Sequence, residues 1–149
     1  AMESIVELNS FPNAKVIVFK YCKQIGSDLP DNELAAWIDK ILRIGDPLCI
    51  IENETIIAFL LLYCNKYDTL EAYICNVYVI ERYRGKGFSR ILVDKAIQIC
   101  KQREFSTVNL DVACDNIPAI KTYKKCGFCI SEQYDKEGEP FYKMCLNLA

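Results

Sequence analysis

Most of the information about the fold lies in Arg82-Tyr-Arg-Gly85-Lys-Gly87-Phe88. Residues 69–79, upstream of it, are rich in Tyr, Val and Ile and predict a β-strand, whereas a strong helical period follows it. A strand that enters a glycine turn and leaves as a helix predicts an anion site. Glycine lets the backbone approach a phosphate closely, and the first amides of a helix have no partner within the helix. Arg82, Arg84 and Lys86 add local positive charge.

The glycine turn differs from the two commonest nucleotide-binding loops. A dinucleotide-binding turn needs a third glycine, where this chain has Arg90, within alternating strand–helix–strand halves. The phosphate loop of nucleoside triphosphatases needs Gly-Lys-Ser/Thr five residues after its first glycine, and Gly85 is not followed by that sequence. Both classes are therefore excluded.

Outward from this turn, the hydrophobic pattern predicts eleven elements in the order β-α-α-β-β-β-α-β-α-β-β. The predicted strands are 5–8, 48–51, 56–64, 69–79, 107–113, 128–133 and 141–148, the last two joined by a turn over 135–140. The first predicted helix covers residues 13–25, and the second is capped by Asp31 and ended by Gly45. The third has a buried stripe made of Phe88, Ile91, Leu92, Ala96 and Ile99. The fourth lies between Asn116 and Gly127. This order predicts one mixed α/β layer structure.

Length and charge narrow the function. The chain has 149 residues, which fits one domain, predicted over residues 2–149. Its formal net charge is −2, whereas a nucleic-acid-binding domain usually has a basic surplus, so no nucleic-acid partner is expected. The longest apolar run, residues 56–64, is too short to span a membrane. We expect no membrane association, no signal peptide and a cytoplasmic location.

Nine cysteines would suit a metal site or disulfides, but their number is odd and the chain has no histidine. Only Cys126 and Cys129 have C-x-x-C spacing, and no second pair is present to complete a four-thiolate centre. Most of the others lie within apolar runs, where cysteine behaves as a small hydrophobic residue. We therefore expect reduced, structural cysteines and no metal, and the sequence leaves open whether the 126/129 pair has a redox role.

Two motifs together carry a family resemblance. The first is Arg82-x-x-Gly85-x-Gly87, which matches R/Q-x-x-G-x-G/A after a strand ending Val77-Tyr-Val79. The second runs from Asn116 to Phe128 and contains N-x-x-A-x-x-x-Y. In this order, with a strand between them, they resemble the GNAT superfamily of acetyl-CoA-dependent N-acetyltransferases. The resemblance implies a central, mixed but mostly antiparallel sheet with about four helices, splayed between its fourth and fifth strands.

The resemblance also implies a donor site for acetyl-CoA as the acyl-donor cosubstrate. The backbone of Val77 and Val79 would pair with the pantetheine arm as an added strand does. Asn116 would contact the same arm, and the amides of residues 83–88 would hold the pyrophosphate. The implied cofactor-binding set is Val77, Tyr78, Val79, Arg82, Tyr83, Arg84, Gly85, Lys86, Gly87, Phe88, Ser89 and Asn116. Val79 replaces a frequent proline and Ser89 a frequent glycine, but the contacts involved are backbone contacts.

Acetyl transfer to an amine needs a base, oxyanion stabilisation and an acid for the departing thiolate. Tyr123 is the candidate acid, because the resemblance points its hydroxyl at the sulfur. Glu71 stands where the histone-acetylating branch has its glutamate, and Asp111 resembles the acidic base of enzymes that acetylate ribosomal-protein N-termini. We expect either acid, or an ordered water, to serve as base, with a slight preference for Glu71. The backbone N–H of Val77 would stabilise the oxyanion.

The predicted function is therefore an N-acetyltransferase that moves an acetyl group directly from acetyl-CoA to a primary amine of a small molecule or peptide. Two other readings remain open. One is an acetyl-CoA-binding sensor or partner module without catalysis, and the other is a phosphate-ligand binder that uses only the glycine turn. The resemblance implies an acceptor pocket lined by the first two helices, by their joining loop from Gly26 to Asp31 and by the final hairpin, but none of these has a motif that identifies the acceptor. Monomer and homodimer are both compatible with the sequence.

Overall fold

The computed structural model describes residues 3–25 and 27–149, so the predicted start at Met2 and the loop residue Gly26 lie outside the described residues. The strands are β1 (Glu3–Glu7), β2 (Asp46–Glu52), β3 (Thr55–Tyr63), β4 (Glu71–Val79), β5 (Thr107–Ala113), β6 (Cys129–Lys136) and β7 (Glu139–Asn147). The helices are α1 (Ala14–Gln24), α2 (Asp31–Ile44), α3 (Phe88–Gln102) and α4 (Ile117–Lys125), with two short 3-10 turns at Leu8–Ser10 and Glu81–Tyr83. The predicted element order is confirmed.

One seven-stranded sheet runs in the order β1-β2-β3-β4-β5-β7-β6. Within the described chain only the β4–β5 pair is parallel, and every other pair is antiparallel. The helix α3 makes the crossover that two parallel neighbours require. This is the mixed, mostly antiparallel sheet with four helices that the sequence predicted.

Two apolar cores lie on opposite faces of the sheet. On one face, Leu34, Ile38 and Ile41 of α2 recur at helical spacing, are at most 2% exposed and pack with α1 against β2 and β3. On the other face, α3 and α4 pack against β3, β4, β5 and β7 through residues such as Leu92 and Val108. The sheet is therefore covered on both faces near β3 and β4, the strands that lead to the glycine turn.

The structure corrects three local predictions. Asp31 is the first helical residue of α2 rather than its cap, since Pro30 holds the cap position. In α3 the buried stripe is Phe88, Leu92, Val93, Ala96, Ile97 and Cys100. Ile91 is instead 44% exposed, because the helix turns a slightly different face to the sheet than the apolar count suggested. The last hairpin is also tighter than predicted, since β6 and β7 pair up to Lys136 and Glu139 around Gly138.

Candidate active site

The parallel strands β4 and β5 pair over only part of their length. Their register runs from Glu71–Thr107 to Ile74–Leu110 and stops there, although β4 continues to Val79 and β5 to Ala113. The predicted splay between the fourth and fifth strands is thus present. We call the space between residues 75–79 and 111–113 the gap.

A β-bulge in β4 accompanies the separation. On the other side of β4, Leu62 pairs with Ile74 and Leu61 pairs with Asn76, so Cys75 is an extra residue in the ladder. A bulge bends its strand and increases the local twist, which turns β4 away from β5 at the residue where their pairing ends. It also shifts the alternation of side chains, so that Ile74 and Val77 face the α3 side while Cys75 and Tyr78 face the α1 side.

The backbone of β4 faces the gap at the two predicted positions. The Ile80 amide donates to the Ile57 carbonyl on β3. Because backbone groups of successive strand residues point to opposite edges, those of Val79 and Val77 point away from β3 and into the gap. An extended arm lying in the gap would therefore find the hydrogen-bonding edge of a strand.

The glycine turn leaves its loop open for an anion. Gly85 has φ 76° and Gly87 φ 87°, left-handed values that favour glycine, and no atom lies within 4 Å of a Cβ placed at either residue. Gly87 holds the N-cap position of α3, whose first amides from Phe88 onward point toward this loop. The loop thus fits a diphosphate at a helix N-terminus.

Two of the predicted amide donors are already used in the structure. The Tyr83 amide donates to Ile80 at 2.8 Å and the Arg84 amide to Glu81 at 3.1 Å, both within the 3-10 turn. The set of amides that can hold a diphosphate therefore begins at Gly85. The Tyr83 hydroxyl donates to the Glu52 carboxylate at 2.8 Å, which ties the turn to the end of β2.

Basic side chains of the glycine loop lie over the faces of aromatic rings. The Arg82 guanidinium lies 5.1 Å and the Lys86 ammonium 5.6 Å from the centre of the Tyr83 ring. The Arg84 guanidinium turns to the gap instead, where Nε donates to the Val79 carbonyl at 2.9 Å. Ser89 is half-buried in the first turn of α3. Asn116 caps α4 by accepting a hydrogen bond from the Ala119 amide at 3.3 Å, as predicted for a cap.

Tyr123 lies on α4, on the α3 side of the sheet. It is 9% exposed and its ring is 5.9 Å from that of Phe128. Burial, and to a lesser degree the neighbouring Tyr21 and Cys126, raises the pKa of Tyr123 to about 12. Tyr21 belongs to α1, on the opposite face of the sheet, so its electrostatic influence on Tyr123 acts across the sheet. Sequence reasoning missed Tyr21, because it stands in no motif.

The two candidate bases lie in different parts of β4 and β5. Glu71 begins β4, in the paired half, four residues before Cys75, which corresponds to about 13 Å along a strand. Asp111 follows Leu110, the last residue of β5 that pairs with β4, so it borders the gap. The two carboxylates are therefore not brought together.

Of the two acids, Asp111 is the one that borders the gap. Its Oδ1 is buried and has no hydrogen-bond partner among the described residues. Burial, followed by a hydrogen bond with the Asp111 carboxylate and by the charges of Asp111 and Glu132, raises the pKa of Tyr134. Lys143 is the cross-strand neighbour of Asp111, yet its ammonium lies over the Tyr134 ring at 5.6 Å. Among the described residues, neither Lys143 nor any other group therefore bonds the buried Oδ1 of Asp111.

Two further predictions concern a metal site and association with a membrane. No group of three or more potential metal ligands occurs in residues 3–25 and 27–149. The helices in the described part of the chain are all too short or too polar to cross a bilayer.

Comparison with known proteins identifies the family. The model of the Acetyltransferase (GNAT) family matches residues 17–128. Among curated relatives, an uncharacterized N-acetyltransferase of Methanocaldococcus jannaschii is 31% identical over 62% of this chain. N-alpha-acetyltransferase 30 of Schizosaccharomyces pombe is 31% identical over 41% of it. The chain spans 42% and 41% of the lengths of these two relatives.

Solved structures share the fold at low sequence identity. The ribosomal-protein-S18-alanine N-acetyltransferase from Escherichia coli has a TM-score of 0.80 and 19% identity, covering 99% of this chain and 95% of that one. An acetyltransferase from Salmonella typhimurium, solved with its cofactor acetyl-CoA, has a TM-score of 0.79 and 16% identity, covering 100% of this chain and 95% of that one.

Proposed function

The chain belongs to the GNAT acetyltransferase family, and from this premise we propose that it transfers an acetyl group from acetyl-CoA directly to a primary amine of a small molecule or peptide. The observation that carries the proposal is the gap itself. It presents the strand edge of Val77 and Val79, leads to the open glycine loop and is bordered by Asp111 on the α1 side of the sheet, while Tyr123 lies on the α3 side. Binding of acetyl-CoA by the Salmonella typhimurium neighbour supports the choice of donor.

Asp111 is proposed as the base. The acceptor amine loses a proton to the carboxylate as its nitrogen forms a bond to the thioester carbonyl carbon. The Val77 amide points into the gap and would donate to the carbonyl oxygen as that oxygen gains negative charge. Asp111 returns its proton to solvent after the product has formed. Glu71 is the alternative base, but it would need to act from the paired half of the strands.

Tyr123 is proposed as the group that assists the departing sulfur when the carbon–sulfur bond breaks. With a pKa of about 12 it is neutral at physiological pH, so its hydroxyl always has a proton to donate. A thiol has a pKa of about 8.5, so complete transfer from this phenol is uphill. Its main contribution is then a hydrogen bond to the developing thiolate, whose proton is finally supplied by the phenol or by solvent.

The test is thiol release from acetyl-CoA, followed colorimetrically over a panel of small primary amines and peptides with free N-termini. Turnover that depends on the amine supports the proposal. Acetyl-CoA binding seen by thermal shift, without turnover on any member of a broad panel, would support a non-catalytic acetyl-CoA-binding module instead.

A further inference from the structure

Arg84 occupies a position in the gap that its place in the glycine loop does not require. Its Nε donates to the Val79 carbonyl at 2.9 Å, and its guanidinium carbon lies 5.7 Å from the centre of the Tyr78 ring. The Tyr78 ring in turn lies 4.1 Å from that of Tyr21 and 5.5 Å from that of Phe59. A cation therefore already lies against an aromatic cluster at the edge of the gap.

A carboxylate lies on the same side of the sheet as this cluster. Val108, Leu110 and Val112 of β5 face the α3 side, so Asp111 faces the α1 side, as Tyr78 does. Tyr78 and Asp111 thus border the gap from its two strands. An aromatic ring and a carboxylate with a buried, unbonded oxygen, on the same side of the sheet and along the same gap, are groups that can stabilise an ammonium ion removed from water.

We propose that Tyr78, Tyr21 and Asp111 form an ammonium subsite for the acceptor, and that Arg84 fills the aromatic side of this subsite until the acyl donor binds. This inference rests on the proposed function. It adds that the acceptor arrives as an ammonium ion, which releases one proton to solvent through Asp111 before its nitrogen attacks and gives the second to Asp111 as the amide bond forms, and that the donor makes room for it. Arg84 is thus a specificity-determining residue rather than only a member of the phosphate loop.

The donor would displace Arg84 through two interactions. The Val79 carbonyl, which now accepts from Arg84, is one of the groups expected to pair with the pantetheine arm. Gly85, the next residue, begins the set of amides expected to hold the diphosphate, and the arginine fork can bond two phosphate oxygens at once, with opposite charge, where the carbonyl offers one neutral acceptor. Arg84 is exposed, so its side chain can turn to the diphosphate without repacking the core.

The test uses n-butylammonium as a probe on the full chain, with selectively labelled tyrosines followed by NMR. In the free protein, Arg84→Met should bind the probe about 2- to 30-fold more tightly than the unmodified chain, which is the range of one cation–π contact. Coenzyme A should produce a similar gain in the unmodified chain and little further gain in Arg84→Met. The Tyr78 and Tyr21 resonances should report the binding.

Arg82→Met is the matched control, because it removes the same charge from the same loop while its guanidinium lies over Tyr83 rather than Tyr78. It should retain the probe affinity of the unmodified chain. Equal affinity in Arg84→Met and the unmodified chain would overturn the inference, as would an equal effect of coenzyme A on both. In either case acetyl transfer to amines would still stand, whereas loss of coenzyme A binding in all variants would count against the proposed function itself.

Discussion

The two halves of the β4–β5 pair contrast within a few residues. From Glu71 to Ile74 the strands are held in register, and Ala72 and Ile74 are at most 3% exposed. From Cys75 to Val79 the same strand has turned away, and its residues are only partly buried. The paired half uses its backbone for the sheet, whereas the open half keeps backbone groups available for a ligand. The bulge residue Cys75 marks the boundary between the paired half and the open half of β4.

The largest effect is expected from changing the two acids, because Asp111 borders the open half of the β4–β5 pair and Glu71 lies in the paired half. Asp111→Asn should lower kcat/KM by about 10²- to 10⁴-fold and remove the acidic limb of its pH profile, because the general base is lost. Glu71→Gln, the matched change in the paired half, should leave both unchanged. The pH profile of each variant with an amine acceptor decides. The opposite result would move the base to the paired half.

Tyr123→Phe should have the next largest effect, a decrease in kcat of about 10²-fold, near the lower end of the range for acid catalysis. The decrease should be modest within that range, because a phenol with a pKa of about 12 contributes mainly a hydrogen bond. Coenzyme A affinity should barely change, since the ring still packs. Tyr63→Phe, beside the paired half, is the control. Unchanged kcat in Tyr123→Phe would mean that the thiolate leaves without help from this residue.

A smaller effect is expected at the glycine loop. Gly87→Ala should weaken coenzyme A binding by about tenfold, because a side chain at left-handed φ disturbs the amides expected to hold the diphosphate. Gly138→Ala is matched in backbone, with φ 84° and equally open surroundings, but lies in the β6–β7 turn. Calorimetry should show the loss only for Gly87→Ala. Equal affinities would place the diphosphate elsewhere.

The smallest effect concerns alkaline stability. The folded pKa of Tyr123, about 12, lies above the value of about 10 for an unfolded chain. The unfolded state therefore loses this proton first, and stability falls as pH rises from about 10 to 12. Tyr123→Phe should lose less stability over that interval than the unmodified chain, as measured by thermal melting at each pH. Parallel losses in both proteins would show that the phenol titrates normally.

The sequence predicted the parts of this site that depend on local chemistry. The glycine turn between a strand and a helix, the Asn116 cap and the element order all follow from residue types at fixed spacing. The bulge at Cys75 could not be predicted, because it depends on how β3 and β4 register across the sheet. For the same reason the sequence could not show that β4 and β5 stay paired from Glu71 to Ile74. The slight preference for Glu71 as the base was therefore formed without knowing that it lies in the paired half.

Side-chain contacts between residues far apart in the chain also could not be predicted from the sequence. Tyr21 reaches the gap because α1 packs over β3 and β4, and no local pattern distinguishes it from any other tyrosine of an amphipathic helix. Arg84 was assigned to the phosphate loop from its neighbours in the chain, whereas its guanidinium contacts Val79 and Tyr78. Such contacts arise from tertiary packing rather than from periodicity.

The most direct test of the account asks whether the open half of β4 binds the donor. Amide hydrogen exchange should be measured residue by residue with and without coenzyme A. At a concentration 100 times the dissociation constant, exchange at Val77 and Val79 should slow by up to about 100-fold at early exchange times, whereas Ala72 and Ile74, which exchange only when the sheet opens, should already be protected without coenzyme A. Binding of coenzyme A without any protection of Val77 and Val79 would contradict the account.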